Sequence, residues 1–220
     1  MDFKDVSVWI FDLDNTLYDP SAALFAQIER RMTDYVVRQL GVTADQAARL
    51  RDDYWRHHGT TLAGLMAEHG IEPGPYLADV HDIDLSVLQP DPALAAAIRA
   101  LPGRKIIHTN ADSAYANRVL DRRGLNIFDA IWGVEEVDFH PKPDARAYQK
   151  VIAAEAIDPA RAAFFEDDPR NLIVPHDLGM RTVLVGIGRH GPDELAADHQ
   201  HGPHVQHRTD DLAAFLKGLA

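Results

Sequence analysis

The stretch that most constrains the fold is a short apolar run, Val6, Val8, Trp9, Ile10 and Phe11, that stops abruptly at two acids, Asp12 and Asp14. Apolar residues on both alternating faces fit a strand buried on both sides, as in a parallel sheet covered by helices. Ligands of such sheets bind at the carboxyl ends of the strands, where Asp12 and Asp14 fall. Side chains two apart on a strand point the same way. If the extended backbone continues to Asp14, two carboxylates meet, and their repulsion calls for a cation or a shared proton. A divalent metal is the simplest answer. The competing reading makes Asp12-Leu13-Asp14-Asn15 a turn, which Asp and Asn favour.

Beyond Tyr18 the periodicity becomes helical. Asp19-Pro20 reads as a cap with proline at the first helical position. Leu24, Ile28, Met32, Tyr35, Val36 and Leu40 then recur at helical spacing up to Gly41. Thr43 and Gln46 form a capping box for a helix to about His58. Gly59 breaks it, Thr60-Thr61 opens another helix to Gly70, and a shorter piece covers Tyr76 to Val80. The segment 17–90 is therefore an all-helical insertion, and strand–helix alternation resumes after Gln89-Pro90-Asp91-Pro92. Strands follow at Lys105–Asn110, Ala130–Gly133, Ala162–Phe165 and Arg181–Val185. Helices are expected at Asp91–Leu101, Ser113–Arg123, Ala145–Ala156, Asn171–Leu178 and Asp210–Leu219. The fold class is α/β, a Rossmann-like doubly wound parallel sheet with an inserted helical cap. The core comprises 1–16 and 91–220, and the cap 17–90. The Gly- and His-rich stretch 187–208, with His190, His199, His201, His204 and His207, reads as a solvated loop.

A net charge of −12 argues against a nucleic-acid polymer as partner, since that needs a basic surface. With no cysteine, thiol nucleophiles and cysteine-bound zinc are excluded. No segment reaches the ~20 apolar residues that span a bilayer. The net charge leaves room for a small phosphorylated metabolite held by a local cationic group and a metal. The N-terminus has no basic and apolar leader, so a cytoplasmic protein is expected, as a monomer or homodimer.

Polar groups end three other segments. Thr109 and Asn110 follow the second strand, Lys142 lies in His140-Pro141-Lys142-Pro143, and Glu166-Asp167-Asp168 follows the fourth strand. A phosphate monoester needs positive charge and donors, which a metal, Lys142, Thr109 and Asn110 would supply. In order, Asp12-Leu13-Asp14-Asn15-Thr16, Thr109, Lys142 and Glu166-Asp167 resemble the four motifs of the haloacid dehalogenase superfamily across the whole core. The resemblance implies Asp12 as nucleophile, Asp14 as general acid/base, and Thr109 with Lys142 on the phosphoryl group. It also implies Mg²⁺ on Asp12, the Asp14 main-chain carbonyl and Asp167, with Glu166 direct or through water. Where many relatives carry a further acid, this chain has Asn171, expected to order a water or Lys142. His108 and His140 match no motif position.

Asp14 separates the chain from dehalogenases, which lack an acid there. The absence of lysine from 17–90 removes the phosphonate-cleaving branch, which needs a cap lysine. A phosphoester hydrolase remains, with a phosphomutase, a sugar-phosphate phosphatase or a noncatalytic binding module as alternatives. The stretches 11–18, 108–111, 141–143 and 164–168, with Asn171 and Gly59-Thr60-Thr61-Leu62, are similar to the pyrimidine 5′-nucleotidase branch. Substrate selection is then expected at the Arg56–Thr61 corner, with His58, Thr60 and Thr61 facing the site. Tyr54, Trp55, His57 and His58 could stack on a base, although packing in the cap core is the better reading for Trp55.

Overall fold

The computed structural model describes residues 3–186 and 201–219. At its centre, β1 (Val8–Phe11) pairs in parallel with β2 (Arg104–His108) on one side and β4 (Ala162–Glu166) on the other. β3 (Ala130–Trp132), β5 (Arg181–Val185) and β6 (His207–Thr209) complete the order β3-β2-β1-β4-β5-β6, all parallel. Strand order reverses at β1, so the crevice of this doubly wound sheet opens at its carboxyl end, where Asp12 begins.

Alternation along the central strands builds two cores. Trp9, Phe11, Ile107, Ala163 and Phe165 face α5 (Pro92–Ala100), α6 (Ser113–Arg123) and α9 (Leu212–Lys217). Val8, Ile10, Ile106, Ala162 and Phe164 face α7 (Ala145–Ala154) and the short α8 (Ile173–Asp177). The inserted helices are α1 (Leu24–Leu40), α2 (Ala44–His58), α3 (Thr61–His69) and α4 (Pro73–Val80). They share a third apolar cluster around Tyr35, Val36, Tyr54, Leu65 and Tyr76. The Thr43–Gln46 capping box opens α2. No helix among the described residues is long and apolar enough to cross a membrane.

Three local expectations need correction. Asp19-Pro20 opens a 3₁₀ turn, and α1 starts only at Leu24, after Ala23 takes a left-handed φ of 54°. The expected helix at Asn171–Leu178 is a 3₁₀ turn (Pro169–Leu172) running into α8. The end of the stretch read as a solvated loop is β6, beside β5 with His207 opposite Val183. There His204 is buried, its carbonyl accepting the Thr182 hydroxyl at 2.7 Å, and His207 lies 5.0 Å from the Phe3 ring. Three residues are too few to show a period, so tertiary pairing made this strand. His190 and His199 lie outside the described residues.

One glycine at the head of β2 is sterically fixed. At Gly103 φ is 77°, and a Cβ would stand 2.1 Å from the Ser7 carbonyl oxygen, which is backbone and cannot swing away. Gly103→Ala is expected to destabilise the chain by more than about 1 kcal/mol, read as a lower urea midpoint at unchanged slope.

Candidate active site

β1 ends at Phe11 and the chain turns at once, with Leu13 O accepting from Thr16 N at 3.3 Å and from Leu17 N at 2.9 Å. The backbone of this segment is therefore a turn and not a continued strand, yet Asp12 and Asp14 line the same cavity and the charge of Asp14 acts on the Asp12 carboxyl. Asp12 sits at the strand end, where the Thr16 hydroxyl donates to Oδ2 at 3.1 Å. Asp14 Oδ1 instead accepts the Tyr18 hydroxyl at 2.5 Å and the Tyr115 hydroxyl at 2.9 Å.

The partner that reaches Asp12 comes from 130 residues away. Lys142, only 1% exposed, places Nζ 2.7 Å from Asp12 Oδ1 and 2.6 Å from Glu166 Oε2. Its backbone is fixed by Asn110, whose Oδ1 accepts Lys142 N at 2.7 Å while Nδ2 donates to Lys142 O at 3.0 Å. The Asn110 side-chain amide, expected on a phosphate, is here engaged at both ends by the Lys142 backbone. Glu166 Oε1 accepts the amides of Asp167 and Asp168 at 3.1 and 3.2 Å, which folds the acidic loop back over the site. Thr109 is buried, and its hydroxyl accepts from Ala111 N at 3.1 Å, which leaves the hydroxyl proton available to a ligand.

Burial pushes the Asp12 carboxyl up to about 7, aided by the charge of Glu166 and opposed by Lys142. Burial pushes the Glu166 carboxyl up as well, against the pull of Lys142. Lys142 feels the opposite balance: burial would lower it, and the two carboxylates hold it above the ordinary lysine value. Carboxylate oxygens of Asp12, Glu166 and Asp167 lie within 4.8 Å of one another. Asn171 Oδ1, a further buried oxygen on the same cavity, has no hydrogen-bond partner. One ammonium does not neutralise three carboxylates. The set of hard oxygen donors fits a divalent cation of the Mg²⁺ kind, with Asp12, Asp167 and Glu166 as candidate ligands.

These groups floor a cavity of about 220 Å³ that the inserted helices roof. Thr60 and Thr61 line it, with Thr60 capping α3 through Ala63 N at 3.1 Å. A Cβ on Gly59 would stand 3.3 Å from Pro141 Cγ, so the α2–α3 corner rests on the loop that carries Lys142. His58 is not brought in: it turns to Glu68, with Nε2 2.9 Å from Oε1. Tyr54 is buried in the cap core, whereas Trp55, expected there, lines the cavity. The Arg170 guanidinium lies 3.4 Å over its ring and is held by Asp168, with Nη2 2.7 Å from Oδ2. Periodicity puts Trp55 on a face next to Tyr54, and no sequence signal announces Arg170 as its partner. Tyr115, on α6, likewise had no signal.

The pattern of the haloacid dehalogenase-like hydrolases matches residues 6–178 of this chain. The chain is a haloacid dehalogenase-like hydrolase. It is 25% identical over 194 residues to the phosphate metabolism protein 8 of Saccharomyces cerevisiae, covering 80% of this chain and 60% of that protein. The chain thus spans about three-fifths of the length of that curated relative. Among solved structures it resembles a phosphatase of this family from Thermococcus onnurineus, with TM-score 0.61 and 16% identity over 98% of both chains. It also resembles the L-2-haloacid dehalogenase of Xanthobacter autotrophicus, with TM-score 0.56 and 16% identity over 96% of this chain and 97% of that one. At such identities the likeness is one of fold.

A buried carboxyl raised in the folded state favours folding at low pH, and its contribution is lost as pH climbs from the unfolded value of about 4 through 7. A divalent cation favours the ionised form and opposes that loss. At pH 8, Mg²⁺ at roughly 100 times its dissociation constant should add about 2.7 kcal/mol, or roughly 5–10 °C in Tm by calorimetry. At pH 5 the shift should be much smaller, and Asp167→Asn should remove most of it at pH 8.

Proposed function

We propose that this hydrolase is a Mg²⁺-dependent phosphatase of small phosphate monoesters that works through an aspartyl-phosphate on Asp12, with residues 17–90 as a cap over the core. The observation that carries this reading is the buried Asp12–Lys142 pair at the end of the central strand, in a cavity that Asp14 also lines. A dehalogenating relative shares the fold, but a halide leaves without a proton, whereas an alkoxide needs one and Asp14 can give it. The name of the yeast relative and the phosphatase of Thermococcus onnurineus support the same direction.

An oxygen of Asp12 attacks phosphorus, the bond from phosphorus to the bridging oxygen breaks, and Asp14 protonates the departing alcohol. Water then attacks the same phosphorus, gives its proton to Asp14, and the phosphorus–Asp12 bond breaks to release inorganic phosphate. Lys142 and the Thr109 hydroxyl hold phosphoryl oxygens through both steps, and Glu166 and Asn110 keep Lys142 aimed. Asp12, Asp167, the Asp14 carbonyl and Glu166, directly or through water, would hold Mg²⁺, which when bound would supply charge neutralisation at the phosphoryl group.

For the leaving group, the cavity offers the Trp55 ring, apolar Ile28, Met32 and Leu62, and the hydroxyl residues Thr60 and Thr61. A flat ring with polar edges suits that lining, which supports pyrimidine nucleoside 5′-monophosphates as substrates. With Mg²⁺, p-nitrophenyl phosphate should be turned over, and Asp12→Asn should reduce the rate at least about 1,000-fold. Trp55→Leu should raise KM for UMP about tenfold, a loss of roughly 1.4 kcal/mol in binding, and leave p-nitrophenyl phosphate within about threefold. Conversion of a hexose phosphate to its isomer would assign the site to a mutase instead.

A further inference from the structure

Two phenols take the same oxygen of Asp14. The Tyr18 hydroxyl stands 2.5 Å and the Tyr115 hydroxyl 2.9 Å from Oδ1, although the two tyrosines are far apart in the chain. Both rings are buried, at 4% and 0% exposure. A phenolic O–H facing a carboxylate oxygen at these distances is the donor.

Each tyrosine belongs to a different attachment of the inserted helices. Tyr18 lies on the segment that leads from β1 into α1. Tyr115, on α6, stacks against the ring of His81 with centroids 4.5 Å apart and planes 15° from parallel. His81 caps the end of α4, the last inserted helix, and its Nδ1 is 2.5 Å from Oδ2 of Asp112, the N-cap of α6. Arg118 of α6 donates to the His81 carbonyl at 2.7 Å, which pins the exit segment to the same helix. The carboxylate of Asp14 is therefore slung between the entry and the exit of the cap.

We propose that Tyr18 and Tyr115 are positioning residues for the acid–base step: they hold Asp14 by Oδ1 so that Oδ2 meets the bridging oxygen of the ester. This rests on the phosphatase reading. The step concerned is transfer of the Asp14 proton to the leaving oxygen as the phosphorus–oxygen bond breaks and the phosphorus–Asp12 bond forms. A carboxylate freed of one phenol can rotate about its side-chain torsions, so proton delivery suffers while attack by Asp12 does not. His81 acts one contact further out, by keeping the Tyr115 ring in place.

Leaving-group dependence reads this out. In single-turnover reactions with Mg²⁺, p-nitrophenyl phosphate needs little help from an acid, because p-nitrophenolate is a good leaving group, whereas UMP must release an alkoxide. Tyr115→Phe and Tyr18→Phe should each slow phosphoryl transfer from UMP by about 10- to 100-fold, part of the range typical of a general acid. Their rates with p-nitrophenyl phosphate should stay within about threefold of wild type, and His81→Leu should show a weaker form of the same split. Asp14→Asn should show the full split. Equal losses on the two esters, or no loss on either, would overturn the positioning role, and thermal melts of the same variants distinguish equal loss by unfolding from equal loss in a folded chain. Tyr18→Phe, on the other attachment of the inserted helices, carries the test should Tyr115→Phe not fold. A wild type inactive on both esters would overturn the phosphatase reading itself.

Discussion

The site exists because one ammonium is buried among carboxylates. Lys142 Nζ lies within 2.7 Å of both Asp12 and Glu166, and all three side chains are almost wholly withdrawn from water. Desolvating such charges costs several kcal/mol each, and close opposite charges with good hydrogen bonds are what offset it. The remaining negative charge, from Asp167 together with the pair, gathers at the end of β1 a set of carboxylate oxygens that fits a divalent cation. The same excess, without a cation to offset it, disfavours the folded state as pH rises.

Much of the surrounding structure serves to keep that ammonium aimed. Asn110 grips the Lys142 backbone by both amide ends, Glu166 folds its own loop through two main-chain donors, and Gly59 lets the cap corner lie against Pro141. A side chain held by three independent elements loses little entropy when a ligand arrives, which is what preorganisation means in energetic terms. Asp14 is held differently, by two phenols tied to the two connections of the cap. The carboxylates of Asp12 and Asp14, proposed as nucleophile and acid–base group, thus have separate supports, although only one residue stands between them in the chain.

The central strands were legible because buried parallel strands carry apolar runs that end in polar groups; four of them were placed to within one or two residues, and β1 began two residues later than its apolar run. The inserted helices were legible from caps and from the 3.6-residue period, as at Thr43 and Gln46. β6 was not, because three residues with a mixed pattern become a strand only when β5 is there to pair with. Likewise the extended backbone expected through Asp14 gives way to a turn stabilised by Leu13 O, and both acids line the cavity by that route instead.

The sequence by itself determined the alternation of strands and helices, the place of the insertion and the identities of the groups that end the strands. Those properties are local, set by hydrophobic period, caps and turn residues. Tertiary structure alone decided that Trp55 meets Arg170 over the cavity, that His58 turns away to Glu68, and that Tyr115 reaches Asp14. Such contacts depend on the angle at which the cap meets the core and on the rotamer each side chain adopts there, and neither leaves a periodic trace in the chain.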